Sequence, residues 1–325
     1  MLHNILVVGG NGFIGSAVCK AALARGMNVT SISSSGRPYK TPKGHSPAWT
    51  SKVNWLAADA FDPSAYAELL PATTAVVHTL GTLLEDNGYK TAVKEGNPIG
   101  VLRSLGRSYA GAGGNPLKEK SQRSGTYEQL NRDVALTVCE AFSTSKNESS
   151  NPRRPFVYIS AEDVFRPFIP QRYITTKRQA ERGIAEMAGD RSDFRAAFVR
   201  PSFVYQSHVR PMTTPIATLL DLSSVVHKKI PQGIPTPSSM LRALAYATSA
   251  PETNRSQPID LEPSPFSSIA NGLTIPPIHV DHVAEAICKV IIDDSVEGVV
   301  GVGKMRELIG WADKGNDVKS SPSNS

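Results

Sequence analysis

Three features of the sequence predict an α/β protein with a doubly wound parallel sheet and a smaller C-terminal lobe. Short apolar runs alternate with stretches of helical periodicity from the first residues onward. A glycine-rich turn joins the first of these runs to the first helix. Beyond about residue 206 the chain changes to Pro- and Ser-rich connections between shorter helical segments. Strands and helices alternating at this spacing build a parallel sheet covered on both faces.

The elements follow in order. Asn4-Ile5-Leu6-Val7-Val8 is a short apolar run closed by glycines, hence a strand. Residues 13–25 then place Ile14, Val18, Ala21 and Ala22 on one helical face, with Gly26 as the stop. Residues 28–34 and 53–57 read as strands on either side of a Gly/Pro/Ser/Lys loop. A short helix is expected over 64–70, after Asp62-Pro63, and a fourth strand over 75–80. Residues 82–125, with Gly111-Ala112-Gly113-Gly114, break the rhythm and read as a long loop carrying at most one short helix near 99–109. The pattern resumes with a helix over 126–143, a strand over 156–160, a helix over 174–188 and a strand over 196–199.

Residues 1–205 therefore form the core and 206–313 the smaller lobe, with helices over 214–229 and 238–248. A segment near 278–292 returns to the core, and 314–325 is a polar, disordered tail.

Composition narrows the class. The 325 residues carry a formal charge of +6, and residues 1–60 hold six Lys/Arg against Asp59 alone. The rest of the chain has 29 bases and 28 acids. The six bases are dispersed, without a basic block or an aromatic platform, which argues against nucleic acid as a partner. A phosphorylated ligand, an anionic membrane surface or an acidic partner would each use a local positive patch. Cys19, Cys139 and Cys288 are far apart in apolar or helical contexts, so buried free thiols are expected, with no disulfide framework and no metal site. No apolar run reaches about 18 residues, so no transmembrane segment is expected. The early first strand leaves no room for a separate signal peptide.

The turn Gly9-Gly10-Asn11-Gly12-Phe13-Ile14-Gly15 lies between a strand and a helix. Glycines at 9, 12 and 15 suit a tight turn, approach of a pyrophosphate to backbone amides, and close helix–sheet packing. The helix dipole and the free amides favour phosphate. This is a Rossmann-type dinucleotide turn with three–three glycine spacing, and Gly9, Asn11, Gly12, Phe13, Ile14 and Gly15 are its candidate cofactor residues. The second strand ends Ser31-Ile32-Ser33-Ser34-Ser35-Gly36-Arg37, with no acid to accept from a ribose diol. Ser34 and Arg37 would instead receive a 2′-phosphate, so NADP is expected over NAD.

Tyr173 and Lys177 lie four residues apart, which on a helix places them on one face. A lysine beside a phenol favours the phenolate, making Tyr173 a proton donor or acceptor next to a carbonyl or alcohol. Ser160, thirteen residues earlier at the end of the fifth strand, is placed to hold the substrate oxygen. The pattern leaves two uses open: turnover, or retention of the pair as ribose contacts in a protein without chemistry.

The glycine turn and the Ser160, Tyr173, Lys177 set together resemble the extended and atypical short-chain dehydrogenase/reductases. The resemblance covers about residues 4–205 and a short stretch near 280. It implies a Rossmann fold binding NAD or NADP, with Asp59 and Ala60 beside the adenine. Within His78-Thr79-Leu80-Gly81 it puts His78, Thr79 and Gly81 next to the cofactor, although His78 lacks a partner motif and suits packing better than catalysis. It also implies that Asn131 supports the active-site geometry. Ile278-His279-Val280-Asp281-His282-Val283-Ala284 resembles the family's late Val-Asp-Asp-Val-Ala stretch, with His282 at the second acidic position.

Within that family, Tyr158-Ile159-Ser160-Ala161, Tyr173 to Glu181 and Arg200-Pro201-Ser202-Phe203-Val204-Tyr205 resemble fungal mitochondrial members that support ubiquinone biosynthesis. These are related to an accessory subunit of respiratory complex I. The resemblance implies a ubiquinone-biosynthesis complex as partner, peripheral association with an anionic inner membrane, and a location on the matrix side. The alternatives are a cofactor-bound accessory subunit without catalysis and a cytoplasmic carbonyl reductase or sugar-nucleotide epimerase.

Overall fold

The first strand, β1 (Asn4–Val8), has no exposed residue and sits where its apolar run demands, in the middle of a sheet. A computed structural model describes residues 3–82, 126–148, 153–166, 169–189, 191–206, 213–231, 235–248 and 264–311. After β1 come β2 (Asn28–Ser33), β3 (Asn54–Ala57), β4 (Ala75–His78), β5 (Arg154–Ile159) and β6 (Phe194–Val199). Two-residue strands β7 (Val204–Tyr205) and β8 (Ile278–His279) pair with each other, and β9 (Gly298–Val300) rejoins the main sheet. The main order is β3-β2-β1-β4-β5-β6-β9, with every pairing parallel. The order reverses between β1 and β4, the crevice where dinucleotides bind in such sheets.

Both faces are covered, as a parallel sheet requires. The helices are α1 (Phe13–Ala24), α2 (Val134–Thr144), α3 (Gln171–Ala188), α4 (Thr213–Lys229), α5 (Pro237–Thr248), α6 (Pro265–Thr274), α7 (Val280–Ile292) and α8 (Val302–Leu308). Val18 and Ala22 of α1, Val283 and Ile287 of α7 and Met305 of α8 pack on one face. Val138 and Phe142 of α2 and Ala180 and Ile184 of α3 pack on the other. Helices α4 and α5 lie against α6, which closes the lobe onto the core. There Arg166 N donates to Ser268 Oγ at 2.9 Å, and Asn271 Nδ2 donates to Asp163 O at 3.2 Å.

The expected α/β architecture with a C-terminal helical lobe is the one found, with local departures. Strands β5 and β6 begin two residues earlier than their apolar runs, at Arg154 and Phe194, and so take in Arg154 and Arg195, both fully buried. Arg154 donates to the Phe142 carbonyl near the end of α2, and Arg195 to those of Val290 and Ile291 at the end of α7. Terminal helix carbonyls lack partners within the helix and attract cations, so these two buried charges act as helix caps.

The segment 64–70 forms two 3-10 turns, Pro63–Ala65 and Ala67–Leu69, where a short helix was expected. The first is capped by Asp62, which accepts from Ser64 N at 3.1 Å. Helix α2 is entered through a π-helical turn, Gln129–Asp133. The sequence reading does not anticipate α6, β9 or α8. The expectations for 83–125 and for the tail at 314–325 lie outside the described residues.

Candidate functional site

The glycine turn folds back on itself at the end of β1. Gly9 has φ +88°, a conformation L side chains rarely adopt, and Gly12 N donates to Gly9 O at 2.9 Å. A Cβ on Gly15 would lie 2.3 Å from that same carbonyl oxygen and 2.8 Å from Thr79 Oγ1. Only a hydrogen fits there, which is why α1 starts so close to β1. Gly12 is the N-cap of α1 without a side-chain bond, and the first turn carries no acid. Those amides and the helix dipole suit a pyrophosphate, and the cradle fits a dinucleotide.

Around this turn stand the other nucleotide-side candidates. Phe13 and Ile14 are half-buried at the start of α1, and Ser34 and Arg37 are exposed just after β2. Asn11 Nδ2 donates to Ser33 Oγ and Ser35 Oγ at 3.4 Å each, tying the turn to the end of β2. Asp59 is exposed after β3 and accepts from Phe61 N at 3.0 Å, beside buried Ala60. Thr79 donates to Val8 O at 2.8 Å and so pins β4 to β1 beside the glycines.

The second half of the site is buried at the ends of β4 and β5. Lys177 is 3% exposed, and its Nζ donates to Ile159 O at 2.8 Å and lies 4.7 Å from the centre of the Tyr158 ring. A Cβ on Gly81 would stand 2.8 Å from both Lys177 Nζ and Asn131 Oδ1, so these three residues converge. Asn131 is fully buried in the π-helical turn, an irregularity frequent at functional sites. Its Oδ1 accepts from Thr82 N at 3.0 Å, and its Nδ2 donates to Thr82 O at 3.1 Å. The Tyr158 hydroxyl donates to the Asn131 carbonyl. Tyr173 is half-buried in the first turn of α3, edge-on to Tyr127 with ring centres 6.3 Å apart.

Ser160 follows directly on the residue that binds Lys177. Its Oγ accepts from Arg178 Nη1 at 3.1 Å, while Arg178 Nη2 donates to Ala161 O at 2.9 Å. Arg178 and Arg200 both pair with Glu181, which is buried. His78 is set differently from the rest. It is wholly buried, 6.4 Å from the Phe156 ring centre and 5.8 Å from that of Tyr158, and neither ring nitrogen has a partner among the described residues.

Burial governs the electrostatics. Desolvation lowers the Lys177 ammonium to about 7, against the opposing field of Glu181. Desolvation, with the nearby Lys177 charge, takes His78 down to about 3, so its imidazole is neutral. The Tyr158 phenol is held well above its ordinary value by burial, and then by Tyr173 and Glu181. The three cysteines are free and buried as expected, with Cys19 and Cys139 pushed by desolvation to about 12. Among the described residues, no group of three His, Cys, Asp or Glu side chains is placed to hold a metal ion.

Thr82, Tyr158, Arg178, Glu181 and Arg200 have no assigned role in the sequence reading of the site, although all but Thr82 lie in the motifs quoted for the resemblance. Glu181 was within reach of it, since it follows Lys177 by four residues on one helix face. The others join the site only through strand pairing and helix docking.

Fold and glycine turn together define a Rossmann-type α/β protein with a dinucleotide cradle at the start of α1. The NAD dependent epimerase/dehydratase family matches residues 5–106. MIOREX complex component 2 of Saccharomyces cerevisiae is 38% identical over 214 residues, covering 64% of this chain and 75% of that protein. The chain belongs to the family of MIOREX complex component 2.

Among solved structures, MoeE5 in complex with UDP-glucose and NAD aligns with TM-score 0.47 and 16% identity, over 94% of this chain and 82% of that one. WbmF of Bordetella bronchiseptica in complex with NAD+ aligns with TM-score 0.47 and 15% identity, over 92% and 72%.

These findings correct the cofactor expectation. The matching family is described as NAD dependent, where the sequence reading preferred NADP. The hydroxyls at the end of β2 are also engaged within the protein. Ser33 Oγ accepts from Asn11 and from Gly36 N, and Ser35 Oγ accepts from Asn11 and from Arg37 N. The missing acid in β2 was a weak guide, because it says nothing about what the serines themselves bind.

Proposed function

We propose that the chain is an NAD-binding component of a mitochondrial protein complex and supports ubiquinone biosynthesis with its dinucleotide in place. The observation that carries this reading is the engagement of the second half of the site. Lys177 is fastened to Ile159 O, the Ser160 hydroxyl is held by Arg178, and Asn131 is clamped on Thr82. Such an arrangement is rigid and suited to holding a nucleotide. The naming of the yeast relative as a complex component supports the assembly role, and the motif resemblance supports the pathway and the compartment.

Two measurements test it together. NADH fluorescence titration of the purified chain should give saturable binding. Tagged chain in a mitochondrial extract should migrate with quinone-pathway enzymes, and its deletion should lower quinone. A chain that migrates alone, with quinone unchanged on deletion, overturns the reading.

A second reading, turnover of a carbonyl or carbinol carbon as in a carbonyl reductase or a sugar-nucleotide epimerase, is favoured by one observation. The ammonium of Lys177 titrates near neutrality, four residues from Tyr173 on the same helix. The bound nicotinamide would accept hydride from a carbinol carbon when oxidised and give it to a carbonyl carbon when reduced. Tyr173 would move the proton of the substrate oxygen, Lys177 would lower the phenol's pKa, and Ser160 would orient the oxygen. Tyr173→Phe would then cut turnover by about 10²-fold or more with cofactor affinity largely kept. Unchanged turnover removes Tyr173 from the chemistry.

A further inference from the structure

A cavity of about 540 Å³ opens beyond the C-terminal ends of β5 and β9, on the far side of Ser160 from the glycine turn. One wall is the turn Gly301-Val302-Gly303, which leads from β9 into α8, and another is Ile275-Pro276 at the end of α6. Glu162 and Trp311 stand among the remaining lining residues. A Cβ on Gly303 would meet nothing within 4 Å, and one on Gly301 would meet only Glu162 Oε2, at 3.8 Å. Neither glycine has a positive φ, so neither backbone conformation nor packing requires glycine there, and its effect is to leave the space open.

Two of the walls are fastened to each other by a strained loop. Phe165 has φ +61°, the sole non-glycine residue with positive φ among the described residues. Its ring takes the place of a side chain at Gly272, where a Cβ would lie 2.4 Å from it. On either side Asp163 and Arg166 form a buried two-point ion pair at 2.9 and 2.8 Å, and Phe165 N donates to Ser268 O at 3.3 Å. Strain of this kind persists only where the surroundings hold it, and it clusters at ligand clamps. Here it ties the loop that carries Glu162 to the helix that ends in Ile275-Pro276.

The lining also selects a ligand. Glu307 accepts from Lys304 at 2.8 Å, while Arg306 donates to Pro277 O at 3.1 Å and lies 3.6 Å from Asp221. Glu162 accepts from Asp163 N through Oε1 at 3.4 Å, and no described residue donates to its Oε2. Burial holds this carboxyl above the ordinary range, a cost that a donor on Oε2 would offset. A carboxylate only accepts, so the ligand brings the proton. A cation is disfavoured, because Arg178 and Arg200 already act on Glu162 and Arg306 lines the same space. The indole of Trp311 is half-exposed, with His282 edge-on at 4.6 Å and the Arg306 guanidinium at 5.3 Å. It offers a stacking surface to a planar ring, between the apolar walls of Ile275, Pro276 and Val302.

We infer that this cavity binds an uncharged aromatic ring bearing a hydroxyl group, with the ring against Trp311 and the hydroxyl donating to Glu162. The site is separate from the dinucleotide cradle, so ring binding, NADH binding and migration with a complex can each fail alone.

Ligand-observed NMR titration of the full chain tests it. The probe 4-methoxyphenol should bind saturably with a Kd of about 1 mM or tighter. The same ring without its hydroxyl, 1,4-dimethoxybenzene, should bind about tenfold more weakly. Glu162→Met should remove the difference between the two, and Trp311→Ala should weaken both by about fivefold or more. Gly301→Leu, whose side chain starts toward Glu162, should abolish binding of both while the wild-type thermal midpoint and NADH affinity are kept. If Glu162→Met fails to fold, the comparison of the two rings on wild type and the Gly301→Leu variant still decide. No saturation by about 10 mM, equal affinity for the two rings, or undiminished binding by Gly301→Leu overturns the inference. Methyl glucoside bound in place of 4-methoxyphenol would assign the cavity to a sugar ring and overturn it as well.

Discussion

Lys177 donates to the carbonyl oxygen of Ile159 at 2.8 Å, so the lysine of the Tyr-x-x-x-Lys pair is fastened to the strand end that leads into Ser160. The bond crosses from α3 to β5 and sets Tyr158 beneath the ammonium. It makes the pair part of the fold as well as part of the site, and the behaviour of variants follows from that double role.

Stability should depend on pH through Lys177. Burial lowers its folded-state pKa to about 7, whereas an unfolded lysine titrates near ~10.4. Between these values the unfolded chain binds more protons, so this group makes stability rise with pH across the window. The contribution is lost as pH falls through about 7. Denaturant midpoints of wild type and Lys177→Met should therefore diverge in favour of wild type as pH is raised from about 6 to about 9. Parallel profiles would remove Lys177 from the linkage.

Glu181→Gln should act on the same window. The carboxylate raises the Lys177 pKa and pairs with Arg178 and Arg200. Its loss leaves two partly buried guanidinium groups without their shared anion, at a cost of about 2–4 kcal/mol. The lower edge of the Lys177 window should also move further down in pH, and repeating the pH series on this variant measures both effects.

Gly15→Ala and Gly12→Ala should differ sharply. A methyl at 15 meets backbone, the Gly9 carbonyl oxygen, at 2.3 Å, whereas at 12 the nearest atom is that oxygen at 3.2 Å. The first substitution should cost about 1–3 kcal/mol and nearly abolish NADH binding, because the turn must open. The second should leave stability close to wild type while weakening the cofactor. Unfolding curves paired with fluorescence titration distinguish the two.

Asn131→Ala should destabilise by about 2–4 kcal/mol, since the buried backbone N–H and C=O of Thr82 both lose their side-chain partner. Tyr158→Phe should cost less, about 1–2 kcal/mol, for the single bond to the Asn131 carbonyl. The double variant should cost less than the sum, because both bonds hold the same π-helical turn. Full additivity in chemical denaturation would show that the bonds act separately.

The sequence by itself determined whatever depends on local pattern. The apolar run at 4–8, the 3.6-residue face over 13–25 and the glycines at 9, 12 and 15 carry strand, helix and dinucleotide turn, since periodicity and backbone freedom are properties of neighbours in the chain. The four-residue step from Tyr173 to Lys177 likewise places both on one helix. Tertiary structure alone decided what each polar group binds. Arg154 and Arg195 lie just outside the apolar runs read as strands, yet each is buried in its strand against the carbonyls at the end of a helix. Ser160 is legible as a residue at the end of a strand, while its Arg178 partner is not, because that pairing depends on how α3 docks on β5.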